Sequence, residues 1–100
     1  MNEAAPFKRA AVLAYGPADT ERGAAPRVVA KGAGLLAEEI IRRAREAGLP
    51  VHESRELVAL LMQVELDAEI PPALYIAVAE LLAWVWRIER RPPLAVKEKA

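Results

Sequence analysis

The sequence predicts an α/β fold: a small mixed β-sheet of about three strands packed with about three helices, in the order strand, strand, helix, strand, helix, helix. Three observations carry this reading. Short apolar runs, AAVLAY (10–15) and RVVAK (27–31), are bounded by Gly and Pro, as buried strands are. A segment of helical period, residues 35–47, separates the second run from a third extended stretch, Leu49-Pro50-Val51-His52. Two further helical patterns then follow without another strand signal. Strands divided by a helix favour a sheet with parallel or mixed pairing.

Each element has local support. Gly16-Pro17 stops the first run, and GPADTERGAAP (16–26) reads as a polar loop closed by Pro26. Gly32-Ala33-Gly34 turns the chain into the first helix, where Leu36, Ile40, Ala44 and Ala47 are expected to form the core face. Glu38–Arg42 and Glu39–Arg43 are its i,i+4 pairs, and Gly48 is placed as the residue that ends it. Pro50 lacks a backbone donor, so the third strand is expected at an edge. Ser54 is the expected N-cap of a helix over about 55–64, with Leu57, Leu60, Leu61 and Val64 buried. The last helix is expected to start at Pro71-Pro72 and run to about Arg90, before Pro92-Pro93.

The 100 residues suffice for one hydrophobic core. A domain over 10–90 is expected, flanked by a flexible segment at 1–9 and a flexible basic tail at 91–100. Lys and Arg number 14, as do Asp and Glu, so net charge gives no reason to expect nucleic acid as a partner. The balance is uneven along the chain: net +2 over residues 1–52, −5 over 53–80 and +3 over 81–100. The N-terminus has no apolar core of a secretory signal. The longest apolar stretch, residues 70–86, is shorter than the ~20 residues a membrane span needs and contains Glu80. A cytoplasmic protein without direct membrane insertion is therefore expected.

Catalytic vocabulary is scarce. There is no Cys, and His52, Ser54 and Thr20 are single examples of their kinds, so no enzyme is expected. His52 and Ser54 with Glu53 and Glu56 form the nearest approach to a nucleophile and base, yet Ser54 is better used as a cap. Lys31-Gly32-Ala33-Gly34 sits where a phosphate could meet free N–H groups, but lacks the spacing of either glycine-rich nucleotide motif. Glu65, Asp67 and Glu69 alternate without the glycine and distant Glu of a calcium loop. No cofactor and no metal site is expected.

The last helix is the most informative element. Leu74, Val78, Leu81, Val85 and Ile88 recur at 4,3,4,3 spacing, enough to seat a helix on a core, with Trp84 added to that face. A second stripe, Tyr75, Ala79, Leu82 and Trp86, runs beside it. Either the helix lies in a groove and buries most of its circumference, or the second stripe is an apolar patch that binds another chain, with Tyr75 and Trp86 as anchors.

The segments AAVLAY (10–15), APRVVAKGAGLLAEEIIRRAREAGLPV (25–51), ELVALL (56–61) and EIPPALYIAVAELLAWVWRI (69–88) resemble the cytoplasmic C-terminal domain of the FlhB/YscU family. These are the substrate-specificity switch proteins of flagellar and type III secretion export, and the AVAE and LAWVW runs resemble the flagellar branch more closely. The resemblance implies a recognition patch for export substrates and chaperones at Ala25, Pro26, Ala79 and Leu82. Two of these positions lie on the second stripe. Family members cleave their own backbone at an Asn-Pro-Thr-His turn just before the first matching strand. Here that turn falls on Ala5-Pro6-Phe7-Lys8, and alanine has no side chain to attack the carbonyl. Asn2 is three residues out of place. The resemblance thus implies a non-cleaving, free-standing form, without the strand before the turn, placed in the cytoplasm at the periphery of the membrane export apparatus. An unpaired sheet edge is then expected, open to strand addition from a truncated or cleaved relative. The alternative is a general interaction or regulatory module that binds an amphipathic helix outside secretion.

Overall fold

The computed structural model describes residues 8–14, 25–88 and 93–98. Residues 5–7 of the degenerate turn and the loop at 16–24 lie outside them. The class is α/β, with a mixed four-stranded sheet and three helices. The elements are β1 (Arg9–Ala14), β2 (Arg27–Ala33), α1 (Leu35–Glu46), β3 (Val51–Glu53), α2 (Arg55–Leu61), a 3-10 turn (Pro72–Leu74), α3 (Tyr75–Arg87) and β4 (Leu94–Lys97).

The strand count corrects the expectation. Residues 94–97, assigned from sequence to a frayed tail, form an inner strand of a sheet ordered β2-β1-β4-β3. β1 pairs antiparallel with β2 on one side and with β4 on the other, and β3 runs parallel to β4. The open edge expected beside β1 is therefore closed by the chain itself. Local sequence could not show this, because LAVK is four residues behind two prolines and its strand character comes from its neighbours. Leu94, Ala95 and Val96 are all fully buried.

The two faces of the sheet build two cores. Ala11, Leu13, Val28, Leu94 and Val96 meet Leu57, Val58 and Leu61 of α2 and Val78, Leu81 and Val85 of α3. Ala10, Val12 and Ala95 face α1 through Ala37, Ile41 and Ala44. Alternation along each strand assigns its residues to the two sides. In β2 a bulge interrupts the alternation: Leu13 stands opposite Val28 and Val12 opposite Ala30, leaving Val29 as the extra residue. The bulge sends Val28 to the first core and Ala30 to the second, where strict alternation would put both on one face.

The core face of α1 also differs from the expected one. Ala37, Ile41 and Ala44 are buried, whereas Leu36 and Ala47 are exposed. Small Ala37 and Ala44 let the helix approach the sheet, and Leu36 lies over Gly32, whose missing side chain leaves it room. A Cβ at Gly32 would stand 2.5 Å from Leu36 Cγ. Gly34 starts the helix at φ 64° and Gly48 ends it at φ 77°, both conformations that glycine adopts without penalty. Of the expected ion pairs on this helix, Glu39–Arg43 forms at 2.7 Å. Arg42 pairs with Glu39 and Glu46, and Glu38 faces Lys8 at 3.4 Å.

β3 takes the expected edge position, as Val51–Glu53. The carbonyl of Pro50 accepts from Ala95 N at 2.9 Å and extends the parallel pairing. Ser54 caps α2 as expected, its Oγ accepting from Leu57 N at 3.1 Å. That helix is shorter than expected and exposes Leu60, while Val58 replaces it in the core. The start of the outer edge of β2 is covered: Val28 N donates to Ala68 O, Asp67 N to Val28 O and Ile70 N to Pro26 O.

Two outcomes follow. Leu94→Ala removes a fully buried side chain, so denaturant unfolding should show a loss of about 2–5 kcal/mol; a frayed tail would give almost none. Arg42 first and Arg43 second hold the Glu39 carboxyl below its ordinary value of 4.5 by hydrogen bonding. A lowered folded pKa contributes stability above the unfolded value, lost as pH falls through the folded one. Glu39→Gln should therefore flatten the acid side of the stability curve below about pH 4.5 and leave its neutral and alkaline shape unchanged.

Candidate docking surface on the last helix

α3 opens on the 3-10 turn at Pro72–Leu74, which Ile70 ties to the start of β2 by the Ile70 N to Pro26 O bond at 2.9 Å. This bond brings the chain near Ala25 and Pro26 to the N-terminal end of α3. Val78, Leu81 and Val85, at 3 and 4 spacing, seat the helix on the first core, and Leu74 joins them from the turn. Ile88, expected on that face, is exposed because the helix ends at Arg87. Trp84 is half-buried at the rim and meets His52 of β3 with ring centroids 4.9 Å apart at a tilt of 54°.

The second stripe faces outward. Tyr75 is 49% exposed and Trp86 57%, with Ala79 exposed between them and Leu82 half-buried against the core. Full burial in a groove is thus excluded for this helix. Ala25 is half-buried against the same core as Leu82, whereas Pro26 is buried and contributes its carbonyl to Ile70. Ile76, at 79% exposure, extends the apolar surface beside Tyr75 and was missed from sequence because it falls off both stripes. A helix exposing two aromatics and Ile76 presents more apolar side chain than solubility favours, a property of contact surfaces.

The other candidate chemistries resolve into structural roles. Lys31 points away from the Gly-Ala-Gly turn, its Nζ donating to Met62 O at 3.0 Å and Val64 O at 2.6 Å. It satisfies carbonyls at the C-terminal end of α2, where a cation is favourable. Ser54 Oγ is committed to its cap, and His52 to Trp84. Glu65, Asp67 and Glu69 are exposed, and Arg27 lies 3.7 Å from Glu69. Asp67 takes φ 68°, a left-handed conformation that Asp tolerates in a turn. Among the described residues no three His, Asp or Glu side chains come together as metal ligands. Nor is any helix among them long and apolar enough to cross a membrane.

Across the sheet, a mostly apolar groove lies between α1 and the sheet, lined by Val12, Ala30, Leu36, Ile40, Ala44 and Leu49. Sequence reasoning placed Leu36 and Ile40 in the core, so the groove was invisible to it.

The profile of the FlhB HrpN YscU SpaS family matches residues 4–85, a span running from before β1 almost to the end of α3. The chain belongs to the FlhB HrpN YscU SpaS family. Its relatives include the "Uncharacterized protein YlqH" of Bacillus subtilis (strain 168), 39% identical over 89 residues, a match covering 89% of this chain and 92% of that one. The flagellar biosynthetic protein FlhB of Escherichia coli (strain K12) is 47% identical over 73 residues, covering 72% of this chain but 19% of FlhB. FlhB of Salmonella typhimurium is 45% identical over 83 residues, covering 75% of this chain and 22% of that protein. The chain thus spans about a fifth of the length of these two flagellar relatives.

The Lys31 geometry has a direct check. Lys31→Met leaves two carbonyls without their donor and should cost about 1–3 kcal/mol in denaturant unfolding. Calorimetric titration with inorganic phosphate should give no binding heat with either protein.

Proposed function

We propose that this chain is a non-cleaving member of the flagellar and type III export machinery that works by binding rather than catalysis. It engages export substrates, their chaperones or apparatus components through the outward stripe of α3, at the cytoplasmic periphery of the membrane apparatus. The observation that carries the reading is the exposure of Tyr75 and Trp86 on the stripe of α3 that runs beside its core residues. Family membership and the flagellar relatives support the setting. Ala5 at the position of the cyclising Asn supports the non-cleaving character, since a methyl group cannot attack a carbonyl.

In this reading Tyr75 and Trp86 anchor the partner, because large rigid aromatics bury much area at little entropic cost. Ala79 between them allows close approach, and Ala25 and Leu82 supply the rim. Arg87, at the end of α3, favours partners with acidic flanks.

The test is a binding assay of purified chain against immobilised cytoplasmic domains and export substrates of the same apparatus. Wild type should bind, and Tyr75→Ala with Trp86→Ala should weaken binding about thirtyfold, as the loss of ~2 kcal/mol at an aromatic anchor does. Circular dichroism should be unchanged, since both side chains are largely outside the core. Failure of wild type to bind, or equal binding by the double variant, overturns the proposal. Leu82→Asp is a less clean probe because Leu82 also packs on the core.

A further inference from the structure

β2 is an edge strand, and only its start is covered. The bonds made by Val28, Asp67 and Ile70 occupy the outer side of residues 26–28. Further along, Gly34 N donates to Lys8 O at 2.8 Å, which fixes the phase of the β1–β2 ladder. Every second residue of an antiparallel pair turns its N–H and C=O to the partner, so Ala30 and Gly32 face β1. Lys31 and Ala33 then face outward, as Val28 does on the other side of the bulge. Among the described residues no backbone group meets Lys31 or Ala33 on that side. Edges of this kind are commonly guarded by a proline or by a lysine that projects into solvent. Residues 27–33 contain no proline, and their one lysine, Lys31, is folded back with Nζ on the carbonyls of Met62 and Val64. The open stretch of β2 carries neither guard.

Apolar surface borders this edge on the α1 side. Leu36 overlies Gly32, and with Ile40 and Ala30 it lines a groove of about 460 Å³. Leu36 is 56% exposed and Val29 40%. Ala30 and Gly32 are small, so a side chain of Val or Leu size on an added strand would fill the space over them against Leu36 and Ile40. Charge lies at the other end of the stretch. Exposed Glu65 and Asp67 flank exposed Leu66, and the bond from Asp67 N to Val28 O at 2.6 Å holds this corner beside the bulge. Among the described residues neither carboxylate has a cation, whereas Glu69 has Arg27 at 3.7 Å. Glu39 and Arg43, on the rim of the groove, neutralise each other at 2.7 Å.

We propose that the outer edge of β2 from Val29 to Ala33 docks an extended segment of a partner protein, apolar at alternate positions and ending in lysine or arginine. The outward N–H and C=O groups of Lys31 and Ala33 call for an extended backbone, because a helix keeps its own groups bonded internally. Alternate apolar side chains enter the space over Ala30 and Gly32. The segment runs antiparallel to β2, as the pairing of Glu69 with Arg27 does, so its C-terminal end reaches Glu65 and Asp67. Those two carboxylates select a basic end and disfavour an acidic one. A second copy of the chain fits less well, since its β2 would bring Ala33 and Gly34 to them rather than a cation. The proposal is independent of the docking role of α3.

The probe is a fluorophore-labelled peptide of sequence TVTVTKRK added to the intact chain. Saturable binding is expected, and the amides of Lys31 and Ala33 should gain protection from hydrogen exchange. A peptide with glutamate at both valines, or with the uncharged ending TVTVTQSQ, should bind about tenfold more weakly. In the protein, Glu65→Gln with Asp67→Asn should weaken TVTVTKRK about tenfold and leave TVTVTQSQ unchanged. Asparagine keeps the left-handed backbone at position 67 accessible. Ala33→Pro removes an outward donor without touching the ladder to β1 and should abolish binding. The carboxylate variant carries the test if the proline variant fails to fold. Tyr75→Ala with Trp86→Ala should bind the peptide as wild type does. No binding at about 1 mM peptide, equal binding of the glutamate peptide, or protection that misses Lys31 and Ala33 overturns the proposal. So does loss of binding in the Tyr75 and Trp86 variant, or a dimer held by this edge in sedimentation.

Discussion

The insertion of β4 between β1 and β3 is the constraint on which the rest of the molecule depends. Without it the sheet is an antiparallel pair, β2 and β1, and a three-residue strand, β3, with no partner. With it, Val12, Ala95 and Val51 come into register on one face, and Leu13, Leu94, Val96 and Ala11 on the other. Each face then carries enough contiguous apolar surface to seat helices, α1 on one side and α2 with α3 on the other. The parallel β3–β4 pair needs a crossover, and α2, the 3-10 turn and α3 provide it. The position of α3, and so of its outward stripe, follows from the strand that comes after it.

Packing on both faces explains why charge and apolar surface fall where they do. Lys31 leaves β2 on the α2 side and becomes a donor to the end of that helix, which turns a candidate ligand-binding lysine into a structural one. Glu98 is buried, yet its carboxylate is fully engaged by Arg9, so the charge is tolerated at the end of an inner strand. On the outer surface, α3 is held by Val78, Leu81 and Val85, with Ala77, Leu82 and Trp84 packed against the same core, while Tyr75, Ile76 and Trp86 stay exposed. α1 contributes its own apolar groove on the opposite face, since one helix does not cover a four-stranded sheet.

Much of this was legible in the residues. Gly34, Gly48, Ser54 and Pro50 act locally through backbone conformation, capping or a missing donor, and all four do in the structure what such residues do anywhere. The doubled stripe on α3 was legible because its period is a property of the helix alone. The core face of α1 was not, because Leu36, Ile40 and Ala47 are as well spaced as Ala37, Ile41 and Ala44. The choice between the two faces rests on how near the helix must come to the sheet, and small residues win. The bulge at Val29 was equally hidden, since RVVAK is compatible with either alternation until Leu13 and Val12 select partners.

Sequence by itself determined the α/β class, the glycines that bound α1, the Ser54 cap of α2 and the family. These follow from residues acting on their neighbours in the chain or from the inventory of side chains. Tertiary structure alone decided that residues 94–97 are an inner strand, that Lys31 is a cap, and that Tyr75 and Trp86 face solvent. Each of these depends on contacts between segments tens of residues apart, and no local propensity encodes them: a run as short as LAVK becomes a strand only when two strand edges lie on either side of it.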